Sequence, residues 1–253
     1  MTPRAALVTG AAQRIGRAIA LALADDGWAV ALHHNRSAAA AEALVAEIGA
    51  RGGRAVAIAA DLAREAEAAA LLPQAVAAVG PLGCLVNNAS VFERDEALDA
   101  TRESWDRHIE TNLRAPFVLM QEFARRLSAE AEGAIVNILD ERVWNLTPHF
   151  VSYTLSKAAL WTLTQTMALA LAPRIRVNGV GPGPTLPSPR QSEEQFRRQV
   201  QSMPLRRGAT PEEIAQAVRF ILAAPAMTGQ MIALDGGQHL GWAPSPHAAP
   251  ASE

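Results

Sequence analysis

Short apolar runs alternate with longer segments of helical periodicity along most of the chain. This alternation predicts repeated strand–helix–strand units, which build a parallel sheet covered by helices on both faces. The fold class is therefore predicted to be α/β, with one doubly wound parallel sheet. The predicted strands are Ala5–Val8, Ala29–Leu32, Ala55–Ala59, Cys84–Val86, Ala134–Leu139, Arg176–Val180 and Met231–Leu234. The predicted helices are Arg14–Asp26, Ala38–Ala50, Glu65–Val79, Ser104–Ser128, Ser152–Leu171 and Pro211–Leu222.

Two segments depart from this alternation. Residues 181–202 are rich in proline and polar residues and follow a strand, where ligand crevices open in such sheets. We expect a substrate loop there that acts as a mobile lid; a plain surface insertion is the alternative. Residues 243–253 are rich in proline, alanine and serine and are expected to form a disordered tail. Residues 1–242 then form one domain.

Composition narrows the class of protein further. The formal net charge of −2 at pH 7 gives no reason to expect a nucleic-acid partner. The one cysteine, Cys84, excludes an internal disulfide and is consistent with a reducing, cytoplasmic location. No apolar run reaches membrane-spanning length, and no signal-peptide pattern opens the chain, so no membrane partner is expected. No metal site is predicted.

A glycine turn joins the first predicted strand to the first predicted helix, in the segment Leu7–Gly16. Gly10 permits a sharp turn, and Gly16 lets the helix pack closely on the strand. The helix N-terminus can then receive a pyrophosphate, as in a Rossmann-type dinucleotide-binding fold. Arg14 stands where the middle glycine usually lies, and we expect it to contact the cofactor or the substrate. The alternative is a surface arginine in the first helical turn.

The second predicted strand ends without the acidic residue that an NAD site uses to bind the ribose hydroxyls. Arg36 and Ser37 instead offer donors that suit a ribose 2′-phosphate, and His33 can add another. Ser37 can also serve simply as the N-cap of the second helix, and the two roles are compatible. The predicted cofactor is therefore NADPH/NADP+.

The chain contains one tyrosine and one lysine, Tyr153 and Lys157, and they are four residues apart in a predicted helix. Residues at this spacing share a helix face. A nearby ammonium stabilises a phenolate and lowers the pKa of the phenol. Tyr153 could then pass a proton while hydride moves to or from a nicotinamide. The alternative is an incidental pair on an amphipathic helix.

The order of the motifs resembles the short-chain dehydrogenase/reductase family over about residues 4–240. The resemblance implies that Asp61 holds the adenine amino group, that Asn87 stabilises the sheet beside the cofactor, and that Asn112 supports a proton-relay water near Lys157. It also implies a homotetramer, which would cover the apolar circumference of residues 158–171. The implied cofactor-binding residues are Gly10, Arg14, Ile15, Gly16, His33, Arg36, Ser37, Asp61, Leu62, Asn88, Ala89, Ser90, Tyr153, Lys157, Pro182 and Gly183.

One position departs from the family pattern. Thirteen residues before the tyrosine, where the family usually has a serine, stands Asp140. In this respect, and in Arg14 and Phe92, the chain is similar to pteridine reductases, in which the aromatic residue stacks on the pterin ring. The alternatives are a drifted, inactive site for Asp140 and a core aromatic for Phe92. The resemblance implies catalytic roles for Asp140, Tyr153, Lys157 and Asn112, and substrate contacts by Arg14, Ser90, Phe92, Asp140 and Tyr153.

The predicted function is the NADPH-dependent reduction of a dihydropterin to a tetrahydropterin, with dihydrofolate and more oxidised pterins as further candidate substrates. The predicted partner is thus a small pterin-like molecule. Two alternatives stay open: a general NADPH-dependent carbonyl reductase of the same family, and a non-catalytic NADP-binding sensor or scaffold. The intact pair of Tyr153 and Lys157 argues against the second alternative.

Overall fold

The computed structural model describes residues 2–188 and 190–241, so the predicted tail lies outside the described residues. One parallel sheet of seven strands, in the order β3-β2-β1-β4-β5-β6-β7, confirms the predicted α/β architecture. The strands are β1 (Ala5–Val8), β2 (Ala29–His34), β3 (Arg54–Ala59), β4 (Cys84–Asn87), β5 (Gly133–Ile138), β6 (Ile175–Pro182) and β7 (Met231–Leu234).

Helices cover both faces of the sheet, because alternate residues of each strand point to opposite sides. Leu7 of β1 packs in one apolar core with helices α3, α5 and α6, whereas Val8 packs in the other with α1, α2 and α8. The helices are α1 (Arg14–Asp25), α2 (Ala38–Ala50), α3 (Glu65–Val79), α4 (Arg102–Ile109), α5 (Ala115–Arg126), α6 (Val151–Leu171), α7 (Glu193–Gln201) and α8 (Pro211–Ala223).

The long helix predicted over Ser104–Ser128 is interrupted. A π-helical turn, Glu110–Arg114, separates α4 from α5, and α4 begins at Arg102 because Thr101 caps it with a reciprocal capping box. Turns of this kind occur often at functional sites, where they widen the helix by one residue per turn. Here the wider turn carries Asn112.

The segment predicted as a continuous loop over residues 181–202 also differs. Strand β6 continues to Pro182, and helix α7 occupies Glu193–Gln201 behind a capping box made by Ser192 and Gln195. This helix has no buried residue, so the apolar periodicity that would have identified it is missing. The irregular part of the predicted lid is therefore shorter than expected.

The functional side of the sheet lies at the carboxyl ends of the strands. The order of the strands reverses between β1 and β4, and a crevice opens at such a point. The glycine turn follows β1, Asn87 ends β4, and Asp140 comes two residues after β5. Among the described residues, no helix is both long and apolar enough to cross a membrane. The same residues contain no grouping of acidic, histidine and cysteine side chains that could hold a metal ion.

Candidate active site

The glycine turn is tightly packed, which explains its composition. Gly10 has a φ of +62°, a left-handed conformation that glycine adopts without strain. A Cβ atom on Gly16 would lie 2.2 Å from the carbonyl oxygen of Gly10, so no larger residue fits there. The side-chain amide of Asn88 donates to the carbonyls of Thr9 at 2.8 Å and Gly10 at 3.1 Å. The turn is thereby fixed to the end of β4.

His33 has a different environment from the one predicted. It is buried, its Nδ1 accepts the Gly10 backbone N–H at 3.0 Å, and its Nε2 lies 3.0 Å from the Ala60 carbonyl oxygen. Burial lowers the pKa of His33 to about 4, so the ring is neutral at physiological pH. Its one remaining proton faces Ala60, so no donor is left for a phosphate. Both ring nitrogens of His33 thus have partners in the protein. The ring supports the glycine turn and also lines the cavity beside it, and its contact with the cofactor stays a prediction.

A cavity of about 540 Å³ beside the glycine turn, here called the turn cavity, gathers most of the predicted cofactor residues. Ser37 is not part of its lining; it stands at the N-cap of α2, where its side chain makes no capping bond. The lining includes Gly10, Arg14, Ile15, Gly16, His33, Arg36, Asp61, Leu62, Asn88, Ala89 and Ser90, together with the unpredicted Gln13, Asn35, Ala63, Val91, Arg107 and Thr111.

These residues fit a dinucleotide that carries a 2′-phosphate. A glycine turn that leads into a helix N-terminus can bring backbone N–H groups close to a pyrophosphate. Arg36 reaches the cavity at the end where β2 stops, and an arginine there favours a phosphate over free ribose hydroxyls. Asp61 also lines this cavity and follows strand β3, which pairs with β2. The family resemblance places the adenine there.

Arg14 connects the turn cavity with a second one. It adopts a left-handed φ of +54°, unusual for a residue with a side chain. Its guanidinium donates to the carbonyls of Leu186 at 3.2 Å and Pro187 at 3.0 Å, in the segment after β6. In this structure Arg14 therefore holds the irregular part of the predicted lid against the glycine turn.

Tyr153 and Asp140 form the central contact of the site. The Tyr153 hydroxyl donates to Oδ2 of Asp140 at 2.7 Å. Lys157 lies one turn further along α6, where its Nζ donates to the Ile138 carbonyl at 2.8 Å and stands 5.9 Å from the Tyr153 ring centroid. Tyr153 and Lys157 are both buried. Three of the four predicted catalytic side chains are thus brought together at the end of β5.

The electrostatics of this group differ from the expectation that the ammonium lowers the pKa of Tyr153. Burial raises that pKa well above 10, and the charge and hydrogen bond of Asp140 raise it further. Burial lowers the pKa of Lys157 to about 8, against the opposing effect of Asp140. At neutral pH Tyr153 is therefore a neutral phenol that donates to its carboxylate neighbour.

Asn112 is fully buried in the π-helical turn and binds two other segments of the site. Its Oδ1 accepts the Val91 backbone N–H at 2.8 Å, and its Nδ2 donates to the Val91 carbonyl at 2.9 Å and to Ser156 Oγ at 3.0 Å. Asn112 thus ties the segment after β4 to α6, next to Lys157. The wider π turn brings this amide into the site.

A cluster of rings lies against Tyr153. The ring of Phe92 stacks on Phe150 with centroids 4.5 Å apart and meets Tyr153 edge-on at 4.6 Å. Phe150 precedes α6 in a left-handed conformation with φ +60°. The guanidinium of Arg142 lies over the same rings, 5.1 Å from the Phe150 centroid. Neither Phe150 nor Arg142 was predicted as a site residue.

These side chains line a cavity of about 690 Å³, here called the tyrosine cavity, which is large enough for a small heterocycle. It contains every predicted substrate residue and also Pro182, Gly183 and Lys157. Its other charged residues were not predicted: they are Arg94, Glu141, Arg142 and Arg190.

Known proteins with sequences similar to this chain include several that are named reductases. A family model described as Enoyl-(Acyl carrier protein) reductase matches residues 10–239. The chain is 34% identical over 242 residues to the 3-oxoacyl-(acyl-carrier-protein) reductase FabG of Staphylococcus epidermidis, covering 94% of this chain and 99% of that protein. It is likewise 34% identical over 241 residues to the 3-oxoacyl-(acyl-carrier-protein) reductase of Synechocystis, covering 94% and 97%.

Two solved structures are also similar over most of the chain. FolM Alternative dihydrofolate reductase 1 from Brucella suis, in complex with NADP, superposes with a TM-score of 0.93 at 48% identity and covers 98% of both chains. A blue fluorescent protein from a metagenomic library, in complex with NADPH, superposes with a TM-score of 0.87 at 33% identity, covering 93% of this chain and 98% of that one.

Proposed function

The chain belongs to the short-chain dehydrogenase/reductase family, and within that family we propose that it reduces dihydropterins to tetrahydropterins with NADPH. The cofactor is NADP(H), as in the similar structures. When bound, NADPH supplies the hydride. Arg36, Asp61 and the glycine turn are proposed to hold its adenosine and pyrophosphate portions, in agreement with the turn cavity that they line.

The observation that carries this proposal is the hydrogen bond from Tyr153 to Asp140. In a ketone reduction, negative charge develops on the carbonyl oxygen, and a carboxylate beside it would be repulsive. In a dihydropterin, hydride arrives at C6 and a proton must reach N5, so the C=N bond is activated by protonation. A carboxylate stabilises the positive charge of the protonated ring nitrogen. Asp140 therefore favours an imine-type substrate over a ketone.

The proton route follows from the same pair. A phenolate would be unfavourable next to the Asp140 carboxylate, because burial and that carboxylate both raise the pKa of Tyr153. We propose that the Asp140 carboxylate takes a proton from solvent water and passes it to the ring nitrogen, while Tyr153 retains its own proton and holds the carboxyl group in place. Lys157, anchored on the Ile138 carbonyl, supplies positive charge behind the pair. Phe92 offers a flat surface to the pterin ring.

The proposal agrees with the similarity to the Brucella suis protein named alternative dihydrofolate reductase, which is 48% identical to this chain. A second candidate function, reduction of a carbonyl group on a 3-oxoacyl thioester or a simple ketone, is favoured by the names of the curated relatives, which are about 34% identical. The two functions differ in what Asp140 must do, so that residue discriminates between them.

The test is a screen of NADPH oxidation with dihydrobiopterin, dihydromonapterin, dihydrofolate, a 3-oxoacyl thioester and a simple ketone. We expect turnover of dihydropterins by the wild-type enzyme. Asp140→Ser should lose it roughly a hundredfold or more, the order of one acid–base group, while NADPH affinity is retained. Asp106→Ser is the matched control, since its carboxylate makes an exposed pair with Arg102 on the surface of α4.

Undiminished pterin turnover in Asp140→Ser, or wild-type activity on the ketone or thioester alone, would favour the carbonyl reductase. NADPH binding without turnover of any substrate would support the sensor.

We also propose that the chain assembles as a homotetramer. Helix α6 packs on the sheet through one side, yet Leu155 and Leu169 on that helix are 45% and 84% exposed. A second copy of the chain is the simplest cover for an apolar helix face. Light scattering at micromolar concentration should give a mass well above that of one chain, and a monomer would contradict the proposal.

A further inference from the structure

Arg142 lies beside the Tyr153–Asp140 pair and has no part in the proton route described above. Its backbone N–H donates to Oδ1 of Asp140 at 2.9 Å, while Oδ2 of the same carboxylate accepts the Tyr153 hydroxyl. Asp140 thereby caps the short 3₁₀ turn Glu141–Val143 that carries Arg142. The position of Arg142 is thus tied to the reacting groups, and its side chain lines the tyrosine cavity.

The guanidinium of Arg142 rests on rings and leaves donors unused. Its central carbon is 5.1 Å from the Phe150 centroid and 5.7 Å from the centroids of Phe92 and Tyr153. Contacts of this kind hold a cation in place but satisfy none of its N–H groups. Nε and Nη1 are both buried, and neither has a hydrogen-bond partner in the described part of the chain.

The other arginines of the tyrosine cavity have protein partners. Arg14 donates to two carbonyls of the segment after β6, Arg190 donates to the Phe92 carbonyl at 3.1 Å, and Arg94 donates to Glu96 at 2.6 Å. Buried donors without partners are rare and unfavourable in folded proteins. Because Arg142 lines the tyrosine cavity, a ligand that supplies the missing acceptor can draw one of these N–H groups towards the cavity.

The location of Arg142 indicates which part of a substrate it meets, and this step rests on the proposed function. The ring nitrogen that takes the proton must come within reach of Asp140. The neighbouring ring carbon is C6, so the C6 side chain is the part of a dihydropterin next to the reacting bond. We propose that Arg142 binds an oxygen atom near the start of this side chain and so selects dihydropterins with a hydroxylated C6 substituent.

The chemistry of the guanidinium supports this assignment. It carries only donors and stays protonated, so it requires an acceptor oxygen and gains nothing from a methyl group. In dihydrofolate the carbonyl and carboxylate oxygens lie beyond an aminobenzoyl ring, far from C6. A short polyhydroxylated chain places its oxygens one to three carbons from the ring, next to the reacting bond.

The experiment compares steady-state kinetics of wild type and Arg142→Gln with three dihydropterins that differ only at C6. One carries methyl, one a dihydroxypropyl chain, and one the aminobenzoylglutamate of dihydrofolate. We expect kcat/KM for the hydroxylated substrate to fall roughly tenfold to a hundredfold, as for one or two hydrogen bonds to a charged donor. The fall should appear mainly in KM, with the methyl substrate little changed.

Arg102→Gln is the matched control, because it makes the same substitution at an exposed arginine that pairs with Asp106 on α4 and lines neither cavity. Retained NADPH affinity and thermal stability show that Arg142→Gln is folded. If this variant is not folded, Arg142→Lys repeats the comparison with the charge and the stem preserved.

A selective loss with dihydrofolate instead would mean that Arg142 binds the distant carboxylate and would overturn the inference. An equal fall in kcat for all three substrates would also overturn it, since Arg142 would then act only on the proton pair. Failure of the wild type to turn over any of the three would instead refute the proposed function itself.

Discussion

Replacement of Asp140 should change the ionisation of Tyr153, and this chain permits the change to be observed directly. Tyr153 is the only tyrosine in the sequence, so any near-ultraviolet tyrosinate absorbance arises from the active site. In the wild type the phenol is buried and donates to Asp140 at 2.7 Å. Both burial and the carboxylate raise the pKa of Tyr153, so tyrosinate should form only well above the ordinary range near pH 10.

The magnitude of the change follows from the hydrogen bond. A hydrogen bond to a charged group contributes about 1.5–3 kcal/mol, and this bond is made by the phenol and lost by the phenolate. Removal of the carboxylate also removes the repulsion between two adjacent negative charges. Asp140→Ser and the nearly isosteric Asp140→Asn should therefore make ionisation of Tyr153 easier by at least about 1.5 kcal/mol, and both titrations should move to lower pH.

The assay is a spectroscopic pH titration, with far-ultraviolet circular dichroism at each point to exclude alkaline unfolding. Asp61→Ser is a suitable control, since this carboxylate lines the turn cavity and does not contact Tyr153. If Tyr153 in folded Asp140→Ser and Asp140→Asn titrates at the same pH as in the wild type, the carboxylate does not control the phenol. The proposed relay would then lose its electrostatic basis.

Three further predictions concern the cofactor, the proton chemistry and stability. Tyr153→Phe and Lys157→Arg should each reduce turnover roughly tenfold to a hundredfold, the effect of losing a hydrogen bond to a charged group, with the circular dichroism spectrum unchanged, and near-wild-type rates would exclude the assignment. Arg36→Ala should weaken NADPH binding roughly tenfold to a hundredfold while NADH binding is little altered in a fluorescence titration; equal losses would show that Arg36 does not contact the 2′-phosphate. Burial and the nearby Asp140 raise the pKa of Glu141 from 4.5 to about 8. The folded state thus holds a proton that the unfolded state releases, and stability falls as pH rises from about 4.5 to about 8. Glu141→Gln should remove this fall, worth up to about 5 kcal/mol at pH 8, and a denaturation midpoint with unchanged pH dependence would contradict the reasoning.

Sequence patterns identified the strands well because the buried strands of a parallel sheet are short, apolar and regularly spaced. The boundaries that changed lie where apolar burial does not decide the structure. Helix α7 has no buried residue, so only the capping box of Ser192 and Gln195 could have indicated it. The π-helical turn around Asn112 left no signature, because a single widened turn barely alters the periodicity of a long helix.

The candidate site shows a similar division. Tyr153 and Lys157 were predictable because residues four apart share a helix face, and Asp140 was predictable because it stands where the family usually has a serine. The charge states could not be predicted, since they depend on burial. Burial lowers the pKa of His33, for example, so that its ring is neutral. Arg142 and Phe150 escaped prediction because the local turn and a left-handed residue before α6 place them in the cavity. Such conformations leave no pattern in residue type.

The chain presents an unusual surface to amine-modifying reagents. Its only lysine is Lys157, which is buried and bonded to the Ile138 carbonyl, with a pKa of about 8. Every other basic side chain that could carry a stable charge is arginine, which acylating reagents do not modify at neutral pH. Acylation of side-chain amines is therefore confined to one site inside the tyrosine cavity. The extent of labelling at Lys157, followed by mass spectrometry at mildly alkaline pH, reports how accessible that amine is, and a ligand that fills the cavity should suppress the label.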